Sequence, residues 1–203
     1  MNNSLIKKSP FIVIALSLAV IVSCKNPFAT REPEPPTEGR SSWQFPESPQ
    51  IVLQNMAVAI KEKNVENYLK CLVDSSKLFQ FTPDQYEAAN NPGIFEQWTL
   101  AHEQSYINKA FSSIPDDSIR SLSFVNNPPT PFPDSWLIQA SYTLRLHHTL
   151  DKSYPKQVKG NVDLWFILRN GYWVINKWID YTIIDTTANR IPSWSTIKAS
   201  FIK

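Results

Sequence analysis

Glycine is scarce in this chain of 203 residues: there are four, at positions 39, 93, 160 and 171. A phosphate-cradling loop or a dinucleotide fingerprint needs clustered glycines, so both classes are excluded. Charge of one sign is lacking too. Twenty Lys and Arg stand against eighteen Asp and Glu, and without Lys7 and Lys8 the two signs balance. A balanced chain has no electrostatic footprint for nucleic acid, so no such partner is expected. Three His and two Cys leave little for metal chemistry. Adjacent His147 and His148 point to opposite faces of a strand and cannot chelate together. His102, His148 and Asp180 have the composition of a two-His, one-carboxylate site. On a regular strand, however, His148 keeps the core-face parity of Leu146 while Asp180 falls with Trp178 on the other face. No metal and no cofactor are expected, and no Ser or Cys nucleophile signature is present.

One long apolar run exists. Lys7 and Lys8 precede Phe11 to Val22, a charged region followed by an apolar stretch of signal-peptide length. It falls short of the roughly 20 residues that span a bilayer. The run ends in Ile21-Val22-Ser23-Cys24, which resembles the lipobox of bacterial lipoproteins: branched apolar, small, then Cys. The resemblance implies diacylglycerol on the Cys24 thiol, cleavage before Cys24 and acylation of the new amino terminus. Lys25 stands where an Asp would resemble the inner-membrane retention signal, which implies the periplasmic side of the outer membrane. The alternative is an ordinary secretory signal with an incidental Cys. Cys71 then has no intrachain partner and reads as a small buried hydrophobe among Tyr68, Leu69 and Leu72, rather than as a reactive thiol.

The expected organisation is a signal peptide over 1–23, a Pro-rich tether over 24–47 and one α+β domain over 48–203. Five Pro residues and mixed charge make the tether unable to bury a core. Trp43 and Phe45 near its end are expected to dock on the domain. Ser48-Pro49 supplies an N-cap and a first-turn proline. Val52, Leu53, Met56, Ala57, Ala59 and Ile60 then share one side of a helix ending near Lys63. Asn64 caps a shorter helix. Asn91-Pro92 is expected to open a third helix running to about Ala110, with Phe95, Trp98, His102, Tyr106 and Lys109 along one face. His102 reads either as a pocket imidazole or as a core-edge histidine bonded to backbone. Glu103 beside it reads as solvated or paired.

The C-terminal third reads as antiparallel sheet. Trp136 to Leu146 alternates apolar and polar residues, and Val158–Arg169 and Tyr172–Ile184 flank Asn170-Gly171, the strongest short hairpin signal. A two-residue turn pairs Arg169 with Tyr172, Phe166 with Ile175, Leu164 with Lys177 and Val162 with Ile179. That register makes a core face with Tyr142, Leu144 and Leu146, on which Lys177 is odd. Lys177 could anchor an anionic ligand, snorkel outward, or follow a bulge that resets the register. The opposite face carries Trp165, Val174, Trp178 and Asp180. It suits a homodimer or an envelope partner, unless Trp194, Ile197 and Phe201 of the tail fold back to cover it.

Helices first, then a strand, then long antiparallel strands closing on Gly171-Tyr-Trp-Val-Ile-Asn-Lys-Trp-Ile-Asp180, resemble the nuclear transport factor 2-like superfamily. The resemblance covers roughly Ser48 to Ile184. It implies a cystatin-like cone, a curved sheet wrapping a long helix, whose interior can be a pocket and whose outer face often mediates dimers. The candidate pocket residues are His102, Tyr142, His148 and Lys177; the candidate interface residues are Trp165, Val174 and Trp178. No residues can be placed in catalytic roles. The expected function is therefore non-catalytic: a membrane-anchored envelope protein that binds a partner protein or a small apolar ligand. The alternative is a cyclase- or isomerase-like enzyme using the cone interior.

Overall fold

The computed structural model describes residues 42–74, 78–187 and 189–202. Cys24, the apolar run before it and most of the Pro-rich stretch lie outside these residues. Among the described residues no helix is long and apolar enough to cross a membrane.

Helix α1 (Pro49–Glu62) starts where its signals stand. Ser48 is extended, its hydroxyl accepts from the Ile51 amide, and Pro49 occupies the first turn. It stops at Lys63 in the left-handed region. Asn64 caps α2 (Val65–Lys70), accepting from the Asn67 amide at 2.9 Å. Ahead of α1, Trp43 packs against the core, and Asn55 exchanges two hydrogen bonds with the Gln44 backbone (3.0 and 2.7 Å).

The expected third helix is two separate pieces. Asp84 caps α3 (Gln85–Asn90), and Asn91-Pro92 ends that helix instead of opening one. Gly93 and Gln97 both have positive φ, and α4 (Leu100–Ser112) begins only after Thr99. Phe95 and Trp98 thus sit on irregular backbone, gathered by packing on Phe81 (centroids 5.9 and 5.6 Å) rather than by helical spacing. Asn-Pro is a breaker as readily as a cap, because the residue before proline is pushed out of the helical region.

The strands are β1 (Gln80–Thr82), β2 (Arg120–Asn126), β3 (Thr130–Pro131), β4 (Trp136–Leu146), β5 (Gln157–Arg169), β6 (Tyr172–Ile184) and β7 (Arg190–Ile191). The main order is β1-β6-β5-β4-β2, with β3 on β4 and β7 on β6. Helix α1 packs across β2 and β6 and buries Val52, Leu53, Met56, Ala59 and Ile60. The β6 edge is covered in parallel by β1 and by a bridge from Leu72 to Ile175, so no long ladder edge is left there. The result is the expected α+β class, with helices packed on one face of a curved, mostly antiparallel sheet.

Asn170 and Gly171 both take positive φ, the requirement of a two-residue type I′ hairpin, and Arg169 faces Tyr172. The expected pairing holds as far as Phe166–Ile175 and fails beyond. Trp165 pairs with Lys177, so Asn176 is an extra residue in β6. After this bulge Leu164 pairs with Trp178, Val162 with Asp180 and Gly160 with Thr182. A side-chain period of two means one added residue exchanges the faces of everything that follows. Lys177 moves to the outer face, over Trp165 (5.9 Å), while Trp178 and Asp180 move into the core.

The chain ends in α5 (Trp194–Ile202), which lies on the core face rather than covering the outer one. Its first turn is set by a reciprocal cap, Thr196 amide to Ser193 hydroxyl (3.4 Å) and Ser193 amide to Thr196 hydroxyl (3.1 Å).

Gly160 pairs with Tyr142 where the sheet leaves no room for a side chain. A Cβ there would meet the Tyr142 hydroxyl and the Tyr181 carbonyl (2.6 Å). Gly160→Ala is expected to cost about 1–3 kcal/mol in denaturant unfolding, the range for overpacking. A loss below about 0.5 kcal/mol would show that Tyr142 and the β6 backbone at Tyr181 both give way freely.

Candidate functional site

The interior of the sheet is where chemistry-bearing side chains converge, and α5 sits in the middle of them. Two buried carboxylates organise it.

Asp180, inward because of the bulge, receives the start of α5. One oxygen accepts from the Ser195 amide (2.7 Å) and hydroxyl (2.5 Å); the other accepts from the Tyr142 hydroxyl (2.8 Å). Tyr142 accepts in turn from the Trp194 amide at 2.5 Å. A carboxylate facing the unpaired amides of a helix start is a favourable arrangement. Burial lifts the Asp180 carboxyl above its usual range, and the Ser195 and Tyr142 hydrogen bonds oppose that lift. The Ser195 hydroxyl, already donating to Asp180, also accepts from the Asp84 amide (3.0 Å). Asp84 accepts from the Ser193 hydroxyl, and Glu87 accepts from Thr196 (2.8 Å) and Arg190 (3.0 Å). Each of these hydroxyls donates to a neighbouring carboxylate.

Glu103, on α4, is fully buried. Its Oε1 accepts from the Tyr68 hydroxyl (2.6 Å), and its Oε2 from Trp98 Nε1 (2.7 Å) and Lys198 Nζ (2.7 Å). Lys198, on α5, is fully buried as well. Its ammonium lies 3.6 Å from the ring centroid of Phe81 and 4.1 Å from that of Trp178, with Trp98 and Tyr106 at 5.4 and 5.7 Å. Burial pulls the lysine below its ordinary range, and the Glu103 charge pulls it back. The same burial pushes the Tyr68 and Tyr106 phenols well up.

Apolar contacts complete the filling. Trp194 stands edge-on to Trp178 (4.5 Å) and donates its indole N–H to Tyr106 (3.0 Å), while Phe201 packs on Tyr106 (6.1 Å) and His148 (5.4 Å). Open concavities lie elsewhere. One of about 650 Å³ lies on the outer sheet face, between Val125, Gln139, Asn161 and Tyr181. Another, about 640 Å³, lies between Ser118, His147, His148 and Lys156, and one of about 350 Å³ lies beside Phe79, Phe81, Phe95 and Trp98.

The four candidate pocket residues do not converge. Tyr142 and His148 are on the core face, each against α5. His102 is exposed, and its Nδ1 accepts from the Thr99 amide (3.2 Å), which caps α4. Lys177 is on the outer face. Of the candidate interface residues, Trp165 is on the outer face, half-buried and stacked with Phe132 (4.9 Å). Val174 and Trp178 are buried at 2% and 1% exposure and offer no surface to a partner; the bulge carries Trp178 inward. Asp180 does reach the core, yet no group of three metal-ligating side chains exists among the described residues. Cys71 is buried, its thiol donating to the Asn67 carbonyl (3.3 Å), and burial raises its pKa far above the thiol range.

Lys198 and Ser195 are the residues that sequence reasoning missed, while Glu103 was read as solvated or paired without its partner and Asp180 was assigned to the opposite face. Signals existed for two. Lys198 interrupts the i, i+3, i+4, i+7 stripe Trp194, Ile197, Phe201, and Glu103 begins the equivalent stripe Tyr106, Ile107, Ala110. A charge within each of two apolar stripes is the mark of a buried pair.

No protein-family model matches this chain, and no curated protein matches it. Solved structures do resemble it. A putative aromatic ring hydroxylase from Novosphingobium aromaticivorans has a TM-score of 0.50 at 12% identity, over 73% of this chain and 92% of that one. A nuclear transport factor 2-like protein of unknown function from Shewanella oneidensis gives 0.47 at 13%, over 64% and 93%. A cystatin-like protein of unknown function from Nostoc punctiforme gives 0.43 at 9%, over 65% and 86%. At such identities the likeness concerns fold alone.

Removing one partner of a buried ion pair leaves the other uncompensated. Lys198→Met and Glu103→Gln are each expected to cost about 3–5 kcal/mol in chemical unfolding, and the double variant much less than their sum. Additive losses would mean that the two charges are not coupled.

His148 gives a pH signature. Its Nε2 donates to the Pro155 carbonyl (3.2 Å), and its buried Nδ1 has no hydrogen-bond partner. A second proton would place a donor where nothing accepts it. Burial accordingly lowers the pKa below the ordinary 6.5, with the Pro155 bond opposing and Lys156 and His147 adding to the drop. Below the ordinary value the unfolded chain binds the extra proton first, so stability is intact above it and declines as pH falls through it. The melting temperature is expected to drop between about pH 7.5 and 5, and His148→Phe to flatten that segment. An unchanged profile in the variant would assign the drop to other groups.

Proposed function

We propose that this chain is a lipid-anchored cell-envelope protein, held through Cys24 on the periplasmic side of the outer membrane, whose domain works by binding a protein partner without catalysis. The observation that carries this reading is the filling of the sheet interior by α5, which buries Glu103, Asp180 and Lys198 beneath it. A fold of this kind with no open interior has its surface left to act through.

The outer sheet face is the surface that fits. Trp165, Phe132 and Tyr181 offer aromatic area, and Val125 is 79% exposed. Between them Gln139 bonds Asp163 (3.0 Å) and Ser141 bonds Asn161 (2.8 Å), so the polar side chains hold one another in place before a partner arrives. Aromatic residues beside polar groups that already satisfy one another fit a docking face. The simplest partner is a second copy of this chain. The lipobox-like Ile21-Val22-Ser23-Cys24 supports the anchor, and the proline-bearing stretch after it supports a stand-off from the lipid.

The reading is tested in the cells that make the protein, with a photo-crosslinking side chain at position 165. Covalent protein adducts are expected, lost on Tyr181→Ser with Val125→Ser, and Cys24→Ala is expected to leave the washed membrane fraction. Absence of adducts from position 165 rejects the docking face, and Cys24→Ala persisting in washed membranes rejects the anchor.

A further inference from the structure

We infer that the interior of this domain is a built recognition site for a primary alkylammonium group, and that Lys198 of α5 is the ligand filling it in cis. The inference is independent of the anchor and of the outer face.

An incidental buried salt bridge needs only a counter-ion. Here the cation meets a carboxylate and four aromatic rings, all supplied from outside its own helix: Phe81 from β1, Trp98 from the segment before α4, Glu103 and Tyr106 from α4, and Trp178 from β6. The carboxylate is oriented without help from Lys198, since Tyr68 and Trp98 each donate to it (2.6 and 2.7 Å). The site thus belongs to the body of the domain and the occupant to its last helix. Rings around a desolvated cation supply attraction that a neutral guest of the same shape does not receive.

The geometry also selects among cations. One N–H of the ammonium donates to Glu103 at 2.7 Å while the rings face the remainder. A quaternary ammonium has no N–H to give and is too wide to approach a carboxylate so closely. A guanidinium is planar and needs more acceptors than one oxygen provides. The preferred guest is an unbranched primary amine in its charged form. In the intact protein it cannot enter, because α5 supplies the same group at the effective concentration of a tethered ligand.

Lys198→Ala in the full chain removes three carbons and the ammonium nitrogen, leaving a space shaped as n-propylammonium. The test compares n-propylammonium chloride, 1-propanol and tetramethylammonium chloride, followed by thermal shift and titration calorimetry. Saturable binding of n-propylammonium to Lys198→Ala is expected, roughly tenfold or more tighter than 1-propanol, with no binding to the unaltered chain and none after adding Glu103→Gln. Equal binding of 1-propanol, or no binding at all, overturns the inference by reducing the site to an apolar hole around a structural ion pair. Should Lys198→Ala be unfolded alone, n-propylammonium is expected to restore its folding where 1-propanol does not, and failure of that rescue overturns the inference equally.

Discussion

The insertion of Asn176 into β6 is a local defect on which the whole interior depends. Without it, the register set at the Asn170-Gly171 turn would bury Lys177 and expose Trp178. With it, Lys177 is half-exposed over Trp165, while Trp178 and Asp180 face the helices. The defect is costly: the buried Asn176 side-chain carbonyl has no hydrogen-bond partner, a penalty of about 1–3 kcal/mol. Burying a tryptophan removes some 150–250 Å² from water, worth roughly 4–6 kcal/mol at about 25 cal/mol per Å². Sparing Lys177 an uncompensated burial adds to that side. The bulge wins by magnitude, and its position then decides where the carboxylate that receives α5 will be.

The docking of α5 shows the same separation between what drives and what positions. Trp194, Ile197 and Phe201 are essentially removed from water, and each apolar burial contributes about 1.5–3 kcal/mol. The Lys198–Glu103 pair adds little net stability, because two desolvation penalties offset the attractions that the pair, its hydrogen-bond donors and the surrounding rings supply. What the pair contributes is register. An α5 shifted by one residue would still bury apolar area, but it would leave an ammonium among aromatic rings with no carboxylate and a carboxylate with no cation. Asp180 works likewise at the other end, where the Ser195 amide and hydroxyl meet it in one helix orientation. Hydrophobic area holds the helix in, and buried charge fixes how it lies.

Much of the frame was legible in the sequence because its signals are local. Ser48-Pro49 starts a helix through one hydroxyl and one fixed dihedral, and Asn170-Gly171 turns a hairpin through two positive φ angles. The bulge was not legible in that way. A period-two reading assumes that no residue is inserted, and nothing in Val174-Ile175-Asn176-Lys177 marks which residue will be extra; only the oddness of Lys177 on a core face hinted that the register must reset. Errors in the candidate site follow directly: Trp178 was placed outside, Asp180 was separated from the core, and Lys177 entered a pocket it does not line. Asn91-Pro92 misled for a different reason, since the same dipeptide can begin a helix or end one. Glu103 and Lys198 were within reach, each sitting in an apolar stripe of its own helix, but their pairing joins residues 95 positions apart. Such a pairing becomes visible only when both helices are seen on the same face of the sheet.

The bulge also shapes the opposite face. By taking Trp178 inward it leaves Trp165 without an aromatic neighbour on β6 and gives it Lys177 and, from the loop after β3, Phe132 instead. The outer face is therefore aromatic at one end and polar in the middle, where Tyr181 donates to Asp163 (3.1 Å) beside the Gln139 contact. A fully apolar face would stick without discrimination, and a fully charged one would stay hydrated. In the middle of this one, Gln139, Asp163, Tyr181, Ser141 and Asn161 already bond one another. The same inserted residue thus closes one face on a helix of its own chain and sets which side chains the opposite face presents.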